Sequence, residues 1–352
     1  MAIVIDSNVS KSNKKIDANT QLSNNIDYNR DDFSNNTHFL LEEVKREYQD
    51  IFTYDLQKNK KLENLSQKER YFFLDEQYVK NYVNQQKSLN EINNTSRTIK
   101  NLQPDNSYPT DSLSDLFNDI KQSIIAGKND YLDVLKDIFS KYMDFVNALR
   151  EALSKLSEYT EAGGKDGYIN VDLSKIADEI NKIINEFTNN ESIGKLFFGF
   201  EMSYFQDKDG RYYRIVNNEK IYYESFSDLY NAKAKVADLL NGIKGIFFHE
   251  SSSKDPSTGE ECFKIEAGID LSDIERFLKS LKENGLGKKD MLQTEFDLLK
   301  KAIDALEKKI NTNLDELSKK YSSANSNYDN FVKIVSSTMN TLLEMAKGFL
   351  RF

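Results

Sequence analysis

The last sixty or so residues restrict the fold more than any other part of the chain. Apolar side chains recur at steps of three and four from Leu292 to Phe349, through Phe296, Leu299, Ile303, Leu306, Ile310, Leu314, Leu317, Tyr321, Ala324, Tyr328, Phe331, Val335, Met339, Leu342 and Ala346, with no Pro among them. Spacing of this kind over about eight heptads is a coiled-coil seam. Two double four-residue steps, Leu306–Ile310–Leu314 and Phe331–Val335–Met339, insert stutters that unwind the supercoil locally. At 1.5 Å per residue such a helix reaches roughly 90 Å, longer than a compact domain needs, so it requires a partner helix.

The partner lies far upstream. Ser112 and Asp115 open a second long helix carrying Leu113, Phe117, Ile120 and Ile124. From Tyr131 a regular four-three seam continues through Leu135, Ile138, Tyr142, Phe145, Leu149, Ala152, Leu156 and Tyr159. Residues 113–160 and 289–352 are therefore expected to form the two arms of an intramolecular antiparallel coiled coil. The region between them, 161–288, holds twelve of the fourteen glycines. Its periodicity changes to strand-like runs broken at Asp209-Gly210 and Asn217-Asn218, with a second hairpin turning near Pro256 and Gly259. Helical patterns at 173–187, 229–240 and 273–281 surround these strands, which predicts a mixed α/β lobe inserted between the arms.

Upstream, residues 1–36 are polar and rich in Asn and Ser, a disordered tail able to serve as an uncleaved export address. Residues 37–92 predict a helical hairpin. Its first helix carries Leu40, Val44, Tyr48, Ile51 and Phe52. Its second opens on a Ser66–Glu69 capping box and carries Phe72, Val79, Val83 and Leu89. Residues 93–112, with Pro104 and Pro109, are expected to be a linker. The fold class is thus mainly α with a mixed α/β insertion.

The chemistry of function narrows by exclusion. A net charge of −9 disfavours a general nucleic-acid grip, and no run of residues has the length and apolarity of a membrane span. The paired lysines, such as Lys288-Lys289 and Lys319-Lys320, fit solvated faces. A single Cys262 excludes an intramolecular disulfide and a cysteine-based zinc site, and two histidines, His38 and His249, leave little for acid–base or metal chemistry. His249, Glu250, Glu261 and Cys262 form the one conceivable ligand cluster. Asp207-Lys208-Asp209-Gly210 lacks the spacing and closing Glu of a calcium loop and fits a turn. Gly163-Gly164-Lys165-Asp166-Gly167 lacks Walker spacing and fits a helix stop. No catalytic residues, metal or cofactor are expected.

The closing stretch from Lys319 to Phe352, KKYSSANSNYDNFVKIVSSTMNTLLEMAKGFLRF, resembles the carboxyl terminus of type III secretion needle-tip proteins of the IpaD/SipD/BipD family. Tyr321, Ser322, Ala324, Asn325, Ser326, Asp329, Asn330, Val332, Lys333, Val335, Ser336, Ser337, Thr338, Phe349 and Leu350 carry the match. The segments LSDLFNDIKQSI, DYLDVLKDIFSKYMDF and GGKDGYINVDLSKI resemble the family's first coiled-coil helix and the segment after it. The chain has no Trp, where family members place one after the first long helix and another before the last.

The resemblance implies a non-enzymatic protein secreted through the type III apparatus. It would be monomeric in solution and would cap the needle at the bacterial surface as a small ring, usually a pentamer. It would restrain secretion, sense the host and recruit the hydrophobic translocators that form the pore. The amino-terminal hairpin would act as a built-in chaperone, and bile salts are possible ligands. Needle docking is implied for Asp329, Asn330, Lys333, Ser336, Ser337, Asn340 and Lys347. The alternative is a secreted helical effector or adhesin-like module that binds a host component.

Overall fold

The computed structural model describes residues 39, 42, 46, 62, 64–102, 111–187, 200–216, 219–223, 234, 238, 241–254, 261–283 and 285–350. The tail at 1–36, most of the first hairpin helix at 37–56 and most of the helix expected at 229–240 lie outside these residues.

Two helical arms dominate. The first comprises α2 (Asp111–Gly127), a π-helical turn (Lys128–Leu132), α3 (Asp133–Ser154) and a 3-10 turn (Lys155–Tyr159). The second is α6, one 58-residue helix, Gln293–Leu350. Their cross-contacts show the antiparallel sense, because residue numbers fall on one arm as they rise on the other. Tyr328 Oη donates to Ile124 O at 3.1 Å, the Phe139 and Tyr321 rings lie 5.4 Å apart, and Arg150 pairs with Glu307 at 3.3 Å. The predicted seam is the core: Ile303, Leu306, Ile310, Leu314, Leu317, Tyr321, Ala324, Tyr328, Phe331, Val335, Met339 and Leu342 are all buried, as are Tyr131, Leu135, Ile138, Tyr142, Phe145 and Leu149.

A third helix, α1 (Gln67–Leu102), lies along both arms. The expected capping box starts it: Glu69 Oε2 accepts from Ser66 N at 2.9 Å and Ser66 Oγ at 2.6 Å, and Glu69 N donates back to Ser66 Oγ at 3.4 Å. The linker expected from residue 93 does not begin there, since α1 runs ten residues further with Ile92 and Thr95 buried. The helix also turns most of its expected apolar stripe outward, with only Leu89 of the four packed against the core. Phe72, Val79 and Val83 are 59%, 51% and 58% exposed, whereas Tyr71, Leu74, Tyr78, Asn81, Gln85, Ser88, Ile92 and Thr95 face inward. These eight alternate by three and four, a heptad seam whose central positions are polar.

Two sheets complete the molecule. The smaller, in order β1 (Thr160–Ala162), β2 (Tyr168–Asp172), β8 (Lys288–Leu292), closes the base of the insertion with antiparallel pairings. It corrects two expectations. The second arm does not start helical at residue 289, because β2 takes residues 288–292 as a ladder partner; Leu292, the first seam residue, is consequently 44% exposed. Gly163–Gly167 is a hairpin turn rather than a helix stop. Gly163 N donates to Tyr168 O at 3.0 Å, and a Cβ there would lie 2.5 Å from the Tyr168 backbone. The first arm stops one segment earlier, in its 3-10 turn.

After α4 (Leu173–Phe187), the larger sheet runs β5 (Glu219–Tyr223), β4 (Tyr212–Val216), β3 (Phe200–Gln206), β7 (Glu261–Ile269), β6 (Ile246–Lys254). The break at 209–210 falls at the expected turn, and the one expected at 217–218 lies outside the described residues. α5 (Ser272–Glu283) then leads to β8 and into α6. The lobe meets the coiled coil at several points, among them Phe187 on Phe145 at 5.6 Å and Glu179 beside Lys155 at 3.3 Å. Arg214 on β4 forms a buried ion pair with Asp130 in the π turn. Gly245, at φ +78, presses its bare Cα against Tyr142 and Asn313.

Candidate helix-docking face

The seven residues implied for docking divide between two faces of α6. Asp329 and Ser336 point at α1, where Asn84 Nδ2 donates to Asp329 Oδ1 at 2.9 Å and the hydroxyls of Ser88 and Ser336 lie 3.0 Å apart. Asn330, Lys333, Ser337 and Asn340 are exposed on the adjoining stripe. Lys333 Nζ reaches across to Asp329 Oδ2 at 2.5 Å and so links the two faces. Lys347 sits a further turn and a half beyond Thr341 and pairs with Glu344 at 2.8 Å.

The face under α1 is polar along its length. Asn81 Nδ2 donates to both Asn325 O (2.9 Å) and Asn325 Oδ1 (3.0 Å), and Asn325 in turn donates to Tyr321 O at 3.2 Å. Arg70 pairs with Asp315 at the amino-terminal end of α1. Residue numbers rise together on the two helices, 70 with 315, 81 with 325, 84 with 329 and 88 with 336, so α1 runs parallel to α6. Ser318, Ser322 and Ser323 are buried here. Their small side chains let the two backbones approach closely. Ser318 Oγ donates to Leu314 O at 2.7 Å and Ser326 Oγ to Ser322 O at 3.2 Å, which satisfies the hydroxyls of Ser318 and Ser326 within their own helix. Helix propensity is poor along this stretch, and burial of Tyr321, Ala324, Tyr328 and Phe331 on the opposite side holds it helical.

The opposite side is dry. Burial pushes the phenols of Tyr131 and Tyr142 up to about 12, with Asn327 and Asn313 respectively opposing the shift as hydrogen-bond donors. Tyr321 and Tyr328 are also pushed up, chiefly by burial.

Other candidate chemistry does not assemble. His249 is exposed and lies opposite Glu266, while Cys262 lies opposite Ser253, four residues along the β6–β7 ladder. No cluster of three or more metal-ligating side chains occurs among the described residues. Asp207 closes its own turn, accepting from Asp209 N at 3.0 Å and Arg211 N at 2.9 Å, as expected of that sequence. No described helix is long and apolar enough to cross a membrane.

Sequence reasoning missed the inward residues of α1. The signal was present as the three-four series from Tyr71 to Thr95, but a search for apolar residues alone selects Phe72, Val79 and Val83 and so the wrong face.

Comparison with known proteins places the chain in a family. The family model for type III secretion systems tip complex components matches residues 19–202 and 261–350. The cell invasion protein SipD of Salmonella typhi is 26% identical over 248 residues, covering 69% of this chain and 63% of SipD; its counterpart in Salmonella typhimurium is 24% identical over 251 residues. The chain thus aligns with less than two thirds of the length of these relatives. Among solved structures, BipD of Burkholderia pseudomallei aligns over 75% of this chain and 78% of its own at 16% identity, with a TM-score of 0.44. A pathogenicity island 1 effector protein from Chromobacterium violaceum aligns over 89% and 93% at the same identity and score. With its arms and the flanks of its lobe inside the matched residues, the chain belongs to the type III secretion systems tip complex components.

Proposed function

We propose that the chain caps the secretion needle as one subunit of a small ring, and that the polar face of α6 between Asn325 and Asn340 is where a needle-subunit helix docks once α1 has moved aside. The observation that carries this reading is the chemistry of the α1–α6 contact. Where α1 is held by Asn81–Asn325, Asn84–Asp329 and Ser88–Ser336, its departure gives up hydrogen bonds that water replaces, so the centre of this contact opens at less cost than an apolar seam. An incoming helix with polar side chains finds the same donors and acceptors.

In this reading α1 is the built-in chaperone that keeps the monomer from premature assembly before export. Its outward stripe, Phe72, Val79 and Val83, offers an apolar face to the other arm of the hairpin. In the same reading the lobe, packed along the rod from its β2–β8 base to the π turn, is the part that meets the host and the hydrophobic translocators at the bacterial surface. The role is structural and regulatory rather than enzymatic.

The test compares full-length protein with a chain beginning at Asp111. The shortened chain is expected to bind needle subunits more tightly and to self-associate. Equal affinity and equal size in solution would overturn the masking role; tip assembly that survives removal of residues 341–352 would overturn docking on α6.

A further inference from the structure

The π turn makes contacts in two directions. In a regular helix, residues five apart lie about 140° apart around the axis. Here Asp133 N donates to Lys128 O, and the widened turn brings Lys128 Nζ to 2.8 and 2.6 Å from the two Asp133 carboxylate oxygens. This pair faces α1. Tyr78 Oη donates to Asp133 Oδ1 at 2.8 Å, and Lys128 Nζ lies 5.2 Å from the Tyr78 ring and 5.6 Å from that of Tyr82. Lys136 closes the group, 3.6 Å above the Tyr78 ring and 3.7 Å from Asp75. Two residues beyond Lys128, Asp130 is 2% exposed and turns to the lobe, where it meets Arg214. Arg214 also lies 5.9 Å from the ring of Tyr204 on β3.

We propose that this turn couples the hairpin helix to the distal lobe, so that the seating of α1 and the seating of the β3–β5 edge of the lobe are one linked equilibrium. Asp130 and Asp133 share less than one turn of backbone, and each belongs to a buried or half-buried charge pair that reaches a different unit. A buried charge that loses its partner is strongly unfavourable, so neither pair tolerates a change in the turn that the other imposes. When α1 lifts, Lys128 and Asp133 lose Tyr78 and Tyr82 and become hydrated. The turn is then free to rearrange, and the aim of Asp130 at Arg214 goes with it. Thermodynamic reciprocity requires the converse: freeing Arg214 loosens α1. Another lobe contact, Gly245 on Tyr142 and Asn313, lies more than two turns away on α3 and has no part in the group.

Hydrogen–deuterium exchange on the full-length chain, without any partner, tests the coupling. Tyr78→Phe removes one hydroxyl on the α1 side and is expected to raise exchange in β3 and β4 about threefold or more. Asp130→Asn combined with Arg214→Gln, which leaves no orphan charge, is expected to raise exchange around Tyr71–Val83 by a similar factor. Ser88→Ala, an α1–α6 change away from the turn, is expected to raise exchange chiefly around its own part of α1, and in β4 by less than Tyr78→Phe does, in proportion to how far it unseats Tyr78. The coupling is overturned if Tyr78→Phe alters exchange only within α1 and the turn, and that variant alone decides the matter if the lobe variant unfolds. Because no partner is present, failure here leaves the docking face on α6 standing.

Discussion

Asn84 on α1 donates its side-chain amide to Asp329 on α6 across 2.9 Å, between two helices that run in the same direction. Asp329 is one of the residues for which the family resemblance implied docking, and here its carboxylate is engaged by the chain's own helix. A polar residue at a seam position specifies register at a cost in stability. The inward seam of α1 carries three such positions in a row, Asn81, Gln85 and Ser88, around the Asn325–Ser336 stretch of α6.

Making this contact apolar should lock it. Asn81→Leu with Asn325→Leu replaces both partners of a buried hydrogen bond and is expected to stabilise the fold by about 1–2 kcal/mol. Needle-subunit binding should weaken about tenfold, because displacing α1 then exposes leucine. Asn325→Leu alone removes one of the two acceptors of the buried Asn81 amide and keeps the backbone one, and should destabilise by about 1 kcal/mol. Thermal melts and a binding titration of the three proteins check both halves.

Tyr328 separates packing from hydrogen bonding within the core. Its ring is fully buried and its hydroxyl donates to Ile124 O. Tyr328→Phe is expected to cost about 1 kcal/mol and Tyr328→Ala about 3–5 kcal/mol. Urea unfolding gives both values. Near-equal losses would mean that the hydroxyl, not the ring, holds the arms together at this level.

Alkaline pH should destabilise the chain through its buried phenols. Tyr131 and Tyr142 titrate near 12 when folded, against about 10 when unfolded. Their contribution is fully present below pH about 10 and is lost as pH rises towards 12. Over that window each should remove about 1.4 kcal/mol of stability per pH unit. Phenolate absorbance recorded together with helical circular dichroism should show ionisation of these rings coinciding with loss of structure.

Gly245→Ala should loosen the lobe from the rod. The residue sits at φ +78, where a Cβ is strained, and that Cβ would stand 2.5 Å from Asn313 Nδ2 and 2.8 Å from Tyr142 Oη. A loss of more than about 1 kcal/mol is expected. Gly242→Ala, at φ +82 with open space around it, supplies the control for strain alone. Limited proteolysis of the lobe should accelerate more in Gly245→Ala than in Gly242→Ala.

The arms were legible because their seams are long and apolar. From Ile303 to Leu342 every seam residue read from spacing is buried, and the break between Ile124 and Tyr131 falls where the π turn lies. A second stripe on the first arm, Leu132, Phe139, Val146 and Leu153 at intervals of seven, is also buried. It escapes a reading by spacing, because a helix covered on more than one side has no single seam. The strand break at Asp209-Gly210 was legible from turn chemistry. The strand at Lys288–Leu292 was not, since its sequence continues the helical spacing and only the free edge of β2 makes it extended.

The sequence by itself determined that this chain forms a long two-armed rod with a small α/β insertion, because heptad spacing and glycine placement act locally and repeat often enough to be unambiguous. It also marked the closing helix as unusual, by giving it small polar residues where better helix formers were available. Only the tertiary structure decided what those residues meet. The polar seam of α1, the division of the docking residues between a covered and an exposed face, and the π turn with opposite charges aimed at two units each depend on partners more than fifty residues away. Hydrogen bonds and charge pairs are directional and short-ranged, so their pairing is set by how the helices are placed and cannot be read from spacing along one chain.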